Sequence, residues 1–437
     1  MEDLNDPSKY CTQEGELRPD FRGGSVQCGS SSVLTAEKRQ ILEAFAIPKA
    51  VKMHSERLRV RSLISNLVVP KFIHQPCSEF SVSHYHQRRG IPDADTVVYV
   101  AAGPSTGIVA WAAYCATIES GRPFVGVSNY DPDIITGVDA AMRAVLHEIV
   151  HILGFDYRIM SSLNMTSQIP NVRGKPFVEV VSSPKTKEKA RAHYNCSSAP
   201  GMELEDGGVS GMTMSHWKMR NANDELMKHR LGKVMYTALT LAALEDMGFY
   251  RVNWGMEEEM SWGRNAGCAL LERRCIEDGV SAYPDMFCVS FTPIGQSFCT
   301  ADRRALGTCV VTTRSNNLLP QFRYFEDPRR GSADSMMDFC PVVEPRSDGG
   351  CTDGSSLDMP GSRVGPNSSC VKGDSLEVGS SFPGDICVEV SCVDGAANIR
   401  YLGDDEWYPC PEGPPSRRER PSLVVVLLPK VRGGGVR

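Results

Sequence analysis

The chain has no long apolar run. Across 437 residues nothing approaches the ~20 consecutive apolar residues of a membrane span; the longest stretch near the C-terminus, Leu423 to Leu428, is bounded by Pro421 and Pro429. A helical transmembrane segment is therefore not expected, and a lipid-anchor signal would need a longer apolar tail. The opening residues Met1-Glu2-Asp3-Leu4-Asn5-Asp6 lack both the basic and the apolar parts of a secretory leader, so no signal peptide is expected in this chain. A basic stripe is also missing. The 47 Lys and Arg are interspersed with 53 Asp and Glu for a formal net charge of -6, which argues against a nucleic-acid partner. No internal repeat is visible.

Cysteine, by contrast, is abundant. There are 16, and eleven of them, from Cys268 to Cys410, fall in the last 170 residues. Their spacings do not form paired C-x2-C units, so a disulfide framework is expected rather than a set of zinc knuckles, and with it an oxidising compartment. Sequons at Asn164, Asn195 and Asn367 agree with secretion and glycosylation.

Local patterns divide the chain. Thr35 precedes Ala36 to Phe45 as an N-cap with an early acid, predicting a helix that breaks or kinks near Pro48 and runs on towards Leu58. The β-branched and aromatic runs Thr96 to Ala102 and Phe124 to Val127 predict strands. From Asp139 to Leu153, residues Met142, Val145, Leu146, Ile149, Ile152 and Leu153 recur at helical spacing and Gly154 is a natural stop, so a buried helix is expected. A second helix is expected from Tyr236 to Met247, with Leu239, Leu241 and Leu244 as core. Beyond Trp262 regular periodicity fades. This organisation predicts an N-terminal α+β part (1–155), a central part (156–265), a cysteine-rich C-terminal part (266–410) and a disordered Pro/Arg/Gly-rich tail (411–437).

The chemistry is concentrated in His147-Glu148-Ile149-Val150-His151. Two imidazoles at i and i+4 lie on one helical face, where both reach one tetrahedral zinc ion. Glu148 is turned about 100° away, placed to miss the metal yet take a proton from water activated there. A third protein ligand is needed. In the compact pattern H-E-x-x-H-x-x-G-x-x-H it would fall at position 157, where this chain has Tyr157. Downstream, His193 stands in a polar, Lys-rich stretch, and His229 is flanked by Lys228 and Arg230, whose charges disfavour a bound dication. His216 is the better candidate; a glutamate, Glu179 or Glu188, is the alternative.

With the third ligand displaced beyond Gly154, the sequence resembles leishmanolysin, the M8 metzincin family of surface proteases. The resemblance covers residues 1 to about 410. It is carried in matching order by Leu34-Thr35-Ala36-Glu37-Lys38-Arg39, His54-Ser55-Glu56-Arg57-Leu58, Val98-Tyr99-Val100-Ala101, His147 to Phe155, Ser215-His216-Trp217 and Tyr236 to Tyr250. It implies an α+β, metzincin-like catalytic module followed by a disulfide-rich domain. It implies one catalytic zinc ion held by His147, His151 and His216, base catalysis by Glu148, and Met227 as the Met-turn beneath the metal. Polypeptide substrates and an extracellular or cell-surface location follow from the same resemblance. The family's leader, its propeptide with a zinc-blocking cysteine and its anchor signal have no counterpart in these residues. Lys228-His229-Arg230 stand where small apolar residues are expected after the Met-turn. The alternative from another class is an inactive surface protein that keeps the fold as an adhesion or decoy module.

Overall fold

The computed structural model describes residues 2–208, 213–230, 232, 234–373, 383–393 and 396–410. The tail expected to be disordered, 411–437, lies outside the described residues. The chain forms two compact units, one of residues 1–274 with 335–338, the other of residues 275–334 with 339–437.

The first unit is built from mixed helices and strands. Thr35 caps helix α1 (Ala36–Gln40) by accepting a hydrogen bond from the Lys38 amide. A π-helical stretch, Ile41–Ala46, follows and leads into α2 (Ile47–Arg57). Pro48 brings no N–H to the helix, so the wider π turn just before it accommodates the missing bond, and the expected break takes this form rather than a kink that ends the helix. Strands β1 (Val97–Ala101), β2 (Ala110–Thr117) and β3 (Pro123–Tyr130) make one sheet in the order β1-β3-β2. Here β1 runs parallel to β3 and β2 antiparallel to it, leaving β2 at an edge. Strand β2 was not expected from the sequence.

Side chains alternate across β3. Val125 and Val127 point into a core with Phe21, Leu67, Val69, Phe80 and Tyr99. Gly126 points the other way, towards helix α3 (Val138–Ile152): a Cβ there would sit 2.4 Å from Ile152 Cγ2, so glycine is what lets the helix lie this close to the sheet. The helix buries its expected apolar stripe of Met142, Val145, Leu146, Ile149 and Ile152. Gly154 stops it in the left-handed region at φ 118°, while the Phe155 amide bonds back to Val150 O at 3.1 Å.

After α4 (Tyr157–Ser162), strands β4 (Thr166–Val172) and β5 (Lys175–Val181) form a hairpin joined by Met202–Glu203. Helix α5 (Pro184–Tyr194) packs on α6 (Ala238–Asp246), whose Leu239, Leu241 and Leu244 are buried as core. Asp246 holds the start of α5, accepting from the Lys185 and Thr186 amides at 3.0 and 2.8 Å, as suits a carboxylate at a helix N-terminus.

The second unit contains more regular structure than its sequence led us to expect. Phe298–Cys299, Ala305–Cys309 and Val343–Gly350 form a three-stranded sheet. Ser368–Val371, Ile386–Val393, Ala396–Arg400 and Tyr408–Cys410 form a four-stranded antiparallel one. The strands are short, and cystines supply much of their interior: Cys299–Cys370 and Cys351–Cys387 pack with Leu306 and Met359. The other bridges are Cys11–Cys28, Cys77–Cys115, Cys196–Cys268, Cys275–Cys340 and Cys288–Cys309, so seven disulfides use fourteen of the 16 cysteines. Cys392 and Cys410 are free thiols. No helix among the described residues is long and apolar enough to cross a membrane. The seven disulfides are consistent with an extracellular or surface protein.

Candidate metal centre

Helix α3 presents His147, Glu148 and His151 to a cavity of about 1340 Å³ in the first unit. His216 arrives from a loop, and its position is set by the residue after it. Trp217 is fully buried, donates its indole N–H to Thr240 Oγ1 at 2.9 Å, and packs edge-on against Phe155 with ring centroids 4.8 Å apart. Its backbone amide donates to Met227 O at 2.9 Å, and the His216 carbonyl accepts from the Glu205 amide at 2.8 Å. The chain is thus fixed on both sides of the imidazole.

Three ring nitrogens converge. His147 Nε2 lies 3.1 Å from His151 Nε2 and 3.2 Å from His216 Nε2, and His151 Nε2 is 3.2 Å from His216 Nε2. The opposite nitrogens of the helical pair face backbone carbonyls: His147 Nδ1 meets Leu226 O at 2.6 Å and His151 Nδ1 meets Phe155 O at 2.9 Å. A carbonyl only accepts, so each Nδ1 carries the hydrogen and each Nε2 offers a lone pair. Burial pushes the His147 imidazole down to about 3, with His151 adding to the effect, and burial also lowers His151. Lone pairs turned on one another at this range repel unless something positive lies between them. The spacing fits such an occupant, because a tetrahedral zinc ion with bonds of ~2.0–2.1 Å separates its nitrogen ligands by about 3.4 Å.

Glu148 is buried beside this cluster, and burial pushes its carboxyl up to about 8. Met227 is fully buried; its amide donates to Glu225 Oε2 at 2.5 Å. Glu225 also accepts from Thr237 and Thr240 at 2.9 and 2.7 Å, and burial raises its carboxyl to about 7 against the pull of those bonds. The other candidate ligands lie elsewhere. His193 Nε2 faces Trp262 O at 2.9 Å, Glu188 pairs with Lys185 and Lys189 at the surface, and Glu179 is buried in β5. None of the three lines the cavity, whereas His229 does, its ring edge-on to His216 at 5.1 Å.

Two contributors were not found by reading the sequence. His54 of α2 bonds through Nε2 to Leu146 O at 3.1 Å and through Nδ1 to Tyr236 Oη at 3.2 Å, tying the helix of the two histidines to the chain before α6. Lys218 is buried among Glu205, Asp206 and Asp338 at 2.7, 2.7 and 2.8 Å. Burial alone would push its ammonium down, but these carboxylates hold it well above the usual lysine value. The only sequence signal for His54 was its place in the resembling segment; Lys218 had none.

Comparison with known proteins shows the family. The profile of the M8 peptidases, leishmanolysin, matches residues 1–423. The chain is 41% identical to leishmanolysin of Leishmania major over 355 residues, covering 80% of this chain and 58% of that protein. It is 35% identical to a leishmanolysin homolog of Crithidia fasciculata over 427 residues, covering 94% of this chain and 65% of that one. A leishmanolysin-like peptidase of Drosophila melanogaster is 28% identical over 323 residues, 58% of this chain and 47% of that protein. The chain therefore spans less than two thirds of the length of the relatives it matches.

Proposed function

The chain belongs to the leishmanolysin (M8) peptidase family, and on that premise we propose that it is a zinc-dependent endopeptidase with a metzincin-type centre. The observation that carries the reading is the convergence of three histidine Nε2 atoms to within 3.1–3.2 Å of one another. In this reading His147, His151 and His216 hold one zinc ion, and Met227 is the Met-turn. Residues 1–155 and 156–265 flank the cleft, and 266–410 make the disulfide-rich part. Zinc, when bound, supplies Lewis acidity towards a water and a carbonyl oxygen.

The chain's own residues do the rest. A Glu148 carboxylate oxygen, whose ionised form a dication held by the three histidines would favour against the effect of burial, takes the proton of the attacking water and delivers it to the leaving amine nitrogen. Its place on α3, one residue after His147, turns it about 100° from the ligand direction and keeps it out of the ligand set. The substrate backbone lies along the free edge of β2: residues 107–115 line the cavity, and among the described residues β2 pairs with β3 alone. An extended peptide added there gains main-chain hydrogen bonds irrespective of its sequence.

The test is Glu148→Gln. The amide keeps the size of the side chain without its proton affinity, so zinc content should be unchanged while hydrolysis of casein falls by at least ~10²-fold. Cutting at close to the wild-type rate would reject the role of Glu148. A correctly oxidised wild-type chain that binds zinc and cleaves nothing would favour the inactive scaffold instead.

A further inference from the structure

The loop that carries His216 is tied to a part of the chain far from it in sequence. Residues 335–338 belong to the first unit, although the chain on either side of them belongs to the second. Their turn is closed by the Asp338 amide, which donates to Ser335 O at 3.1 Å, and Asp338 itself stands in the left-handed region at φ 52°. Gly207 approaches this turn so closely that a Cβ there would sit 2.8 Å from Ser335 O. The Asp338 side chain is buried and meets three cations. Its Oδ1 accepts from Lys175 Nζ and Lys218 Nζ, both at 2.8 Å, and its Oδ2 lies 3.5 Å from the Arg173 guanidinium. Burial alone would raise this carboxyl, but Lys218, Lys175 and Arg173 hold it well below the usual carboxylate range, so it is ionised. Arg173 and Lys175 flank Gly174 at the turn between β4 and β5, and Lys218 follows His216 by two residues.

Two lysines therefore share one carboxylate oxygen. They also share Asp206, at 2.7 Å each, but that carboxylate is partly exposed. Without the charge of Asp338 the two ammonium groups would face one another in a buried place, where water screens their repulsion poorly. Lys175 is fixed on a strand, whereas Lys218 lies on an irregular segment and is the one to give way. Any shift of Lys218 reaches His216 through the backbone. The Lys218 amide donates to Glu203 O at 2.9 Å, and Glu205, which pairs with Lys218 Nζ at 2.7 Å, donates its own amide to His216 O at 2.8 Å. We infer that Asp338 is a positioning residue for the third metal ligand: by neutralising Lys175 against Lys218 it holds the His216 imidazole where its Nε2 meets those of His147 and His151. This inference rests on the reading of those three histidines as zinc ligands, and it adds a residue remote from all of them in sequence. Groups that orient a ligand without touching the metal typically change metal affinity by ~10–100-fold when replaced.

The experiment compares the full chain as wild type, His216→Ala, Asp338→Asn, the double variant Asp338→Asn with Lys175→Met, and Asp246→Asn. Zinc affinity is read by competition with a chromophoric chelator, the geometry of the ligands by the absorption bands of the cobalt(II)-substituted protein, and folding by the melting temperature. Asp246, whose partners are Ser183, Lys185 and Thr186 at the start of α5, controls for lost stability alone. Asp338→Asn keeps the shape of the side chain and removes its charge, so it should weaken zinc binding about tenfold or more and alter the cobalt bands. Asp246→Asn should leave affinity and bands as in the wild type, even where its melting temperature falls as far. The double variant should regain most of the lost affinity and the wild-type bands, because the repulsion leaves with Lys175. Wild-type zinc affinity in Asp338→Asn, an equal loss in Asp246→Asn, or a loss that the double variant does not recover overturns the inference. If Asp338→Asn does not fold, the double variant decides: folded with wild-type affinity it supports the inference, and unfolded or weakly binding it overturns it. Failure of the underlying reading looks different. A wild type that binds no zinc, or a His216→Ala variant that binds it as the wild type does, rejects the ligand set itself, whereas a zinc site that depends on His216 and ignores Asp338 rejects the positioning role alone.

Discussion

His54 bonds to a carbonyl 92 residues away in sequence, and that distance is why its role is invisible until the chain is folded. Burial holds its imidazole neutral, down to about 3 against an ordinary value near 6.5. The sign follows from linkage: the unfolded chain takes up a proton that the folded chain refuses, so the stability His54 contributes is present above pH 6.5 and is lost as pH falls through that value towards 3. Between pH 7 and pH 5 this amounts to about 2 kcal/mol. Denaturant unfolding of the zinc-loaded wild type should therefore lose about 2 kcal/mol more over that interval than His54→Gln, and parallel losses would contradict the assignment. Legibility at this scale depends on contiguity. His147, Glu148 and His151 declare themselves because one helical turn brings them together, and His216 could be ranked above His193 and His229 by its neighbours. Glu225, which holds the Met227 amide and two threonine hydroxyls, offered no such local pattern, since every partner it has is set by tertiary structure.

Between elements, the loop carrying His216 is held by charge as well as by Trp217. Lys218 is fully buried with three carboxylates around it, and removing one partner of such a cluster leaves uncompensated buried charge. Lys218→Met should destabilise the protein by roughly 3–5 kcal/mol, measured by chemical denaturation. A loss under about 1 kcal/mol would mean that water, rather than the ammonium, compensates the carboxylates. Helices α3 and α6 were readable because their apolar residues recur at 3.6 spacing and a glycine ends each pattern. Strand β2 was not. Its sequence Ala110-Trp111-Ala112-Ala113-Tyr114-Cys115-Ala116-Thr117 is poor in β-branched residues and is half-buried on both faces, so neither propensity nor alternation marks it. The strands of the second unit escaped notice for a related reason: their interior is made by cystines whose pairing is not written in the spacing of the cysteines.

On the scale of the whole molecule, seven disulfides distribute covalent constraint over both units, and a chain with this many short strands depends on them. Thiol titration of the unfolded, unreduced protein should find two free cysteines, Cys392 and Cys410, among the 16; a value near sixteen would return the protein to a reducing compartment. The crowding of cysteines towards the C-terminus was plain in the sequence, and so was the family likeness, but the pairing of those cysteines was not, because it is set by folding. The proposed activity depends on His147, His151 and His216 holding one ion. The direct measurement is zinc bound per chain, by elemental analysis after dialysis against a weak chelator, for the wild type, His216→Ala and His193→Ala. The expected result is one zinc per chain for the wild type and for His193→Ala and a loss of most of it in His216→Ala. Zinc retained by His216→Ala and stripped from His193→Ala would contradict it.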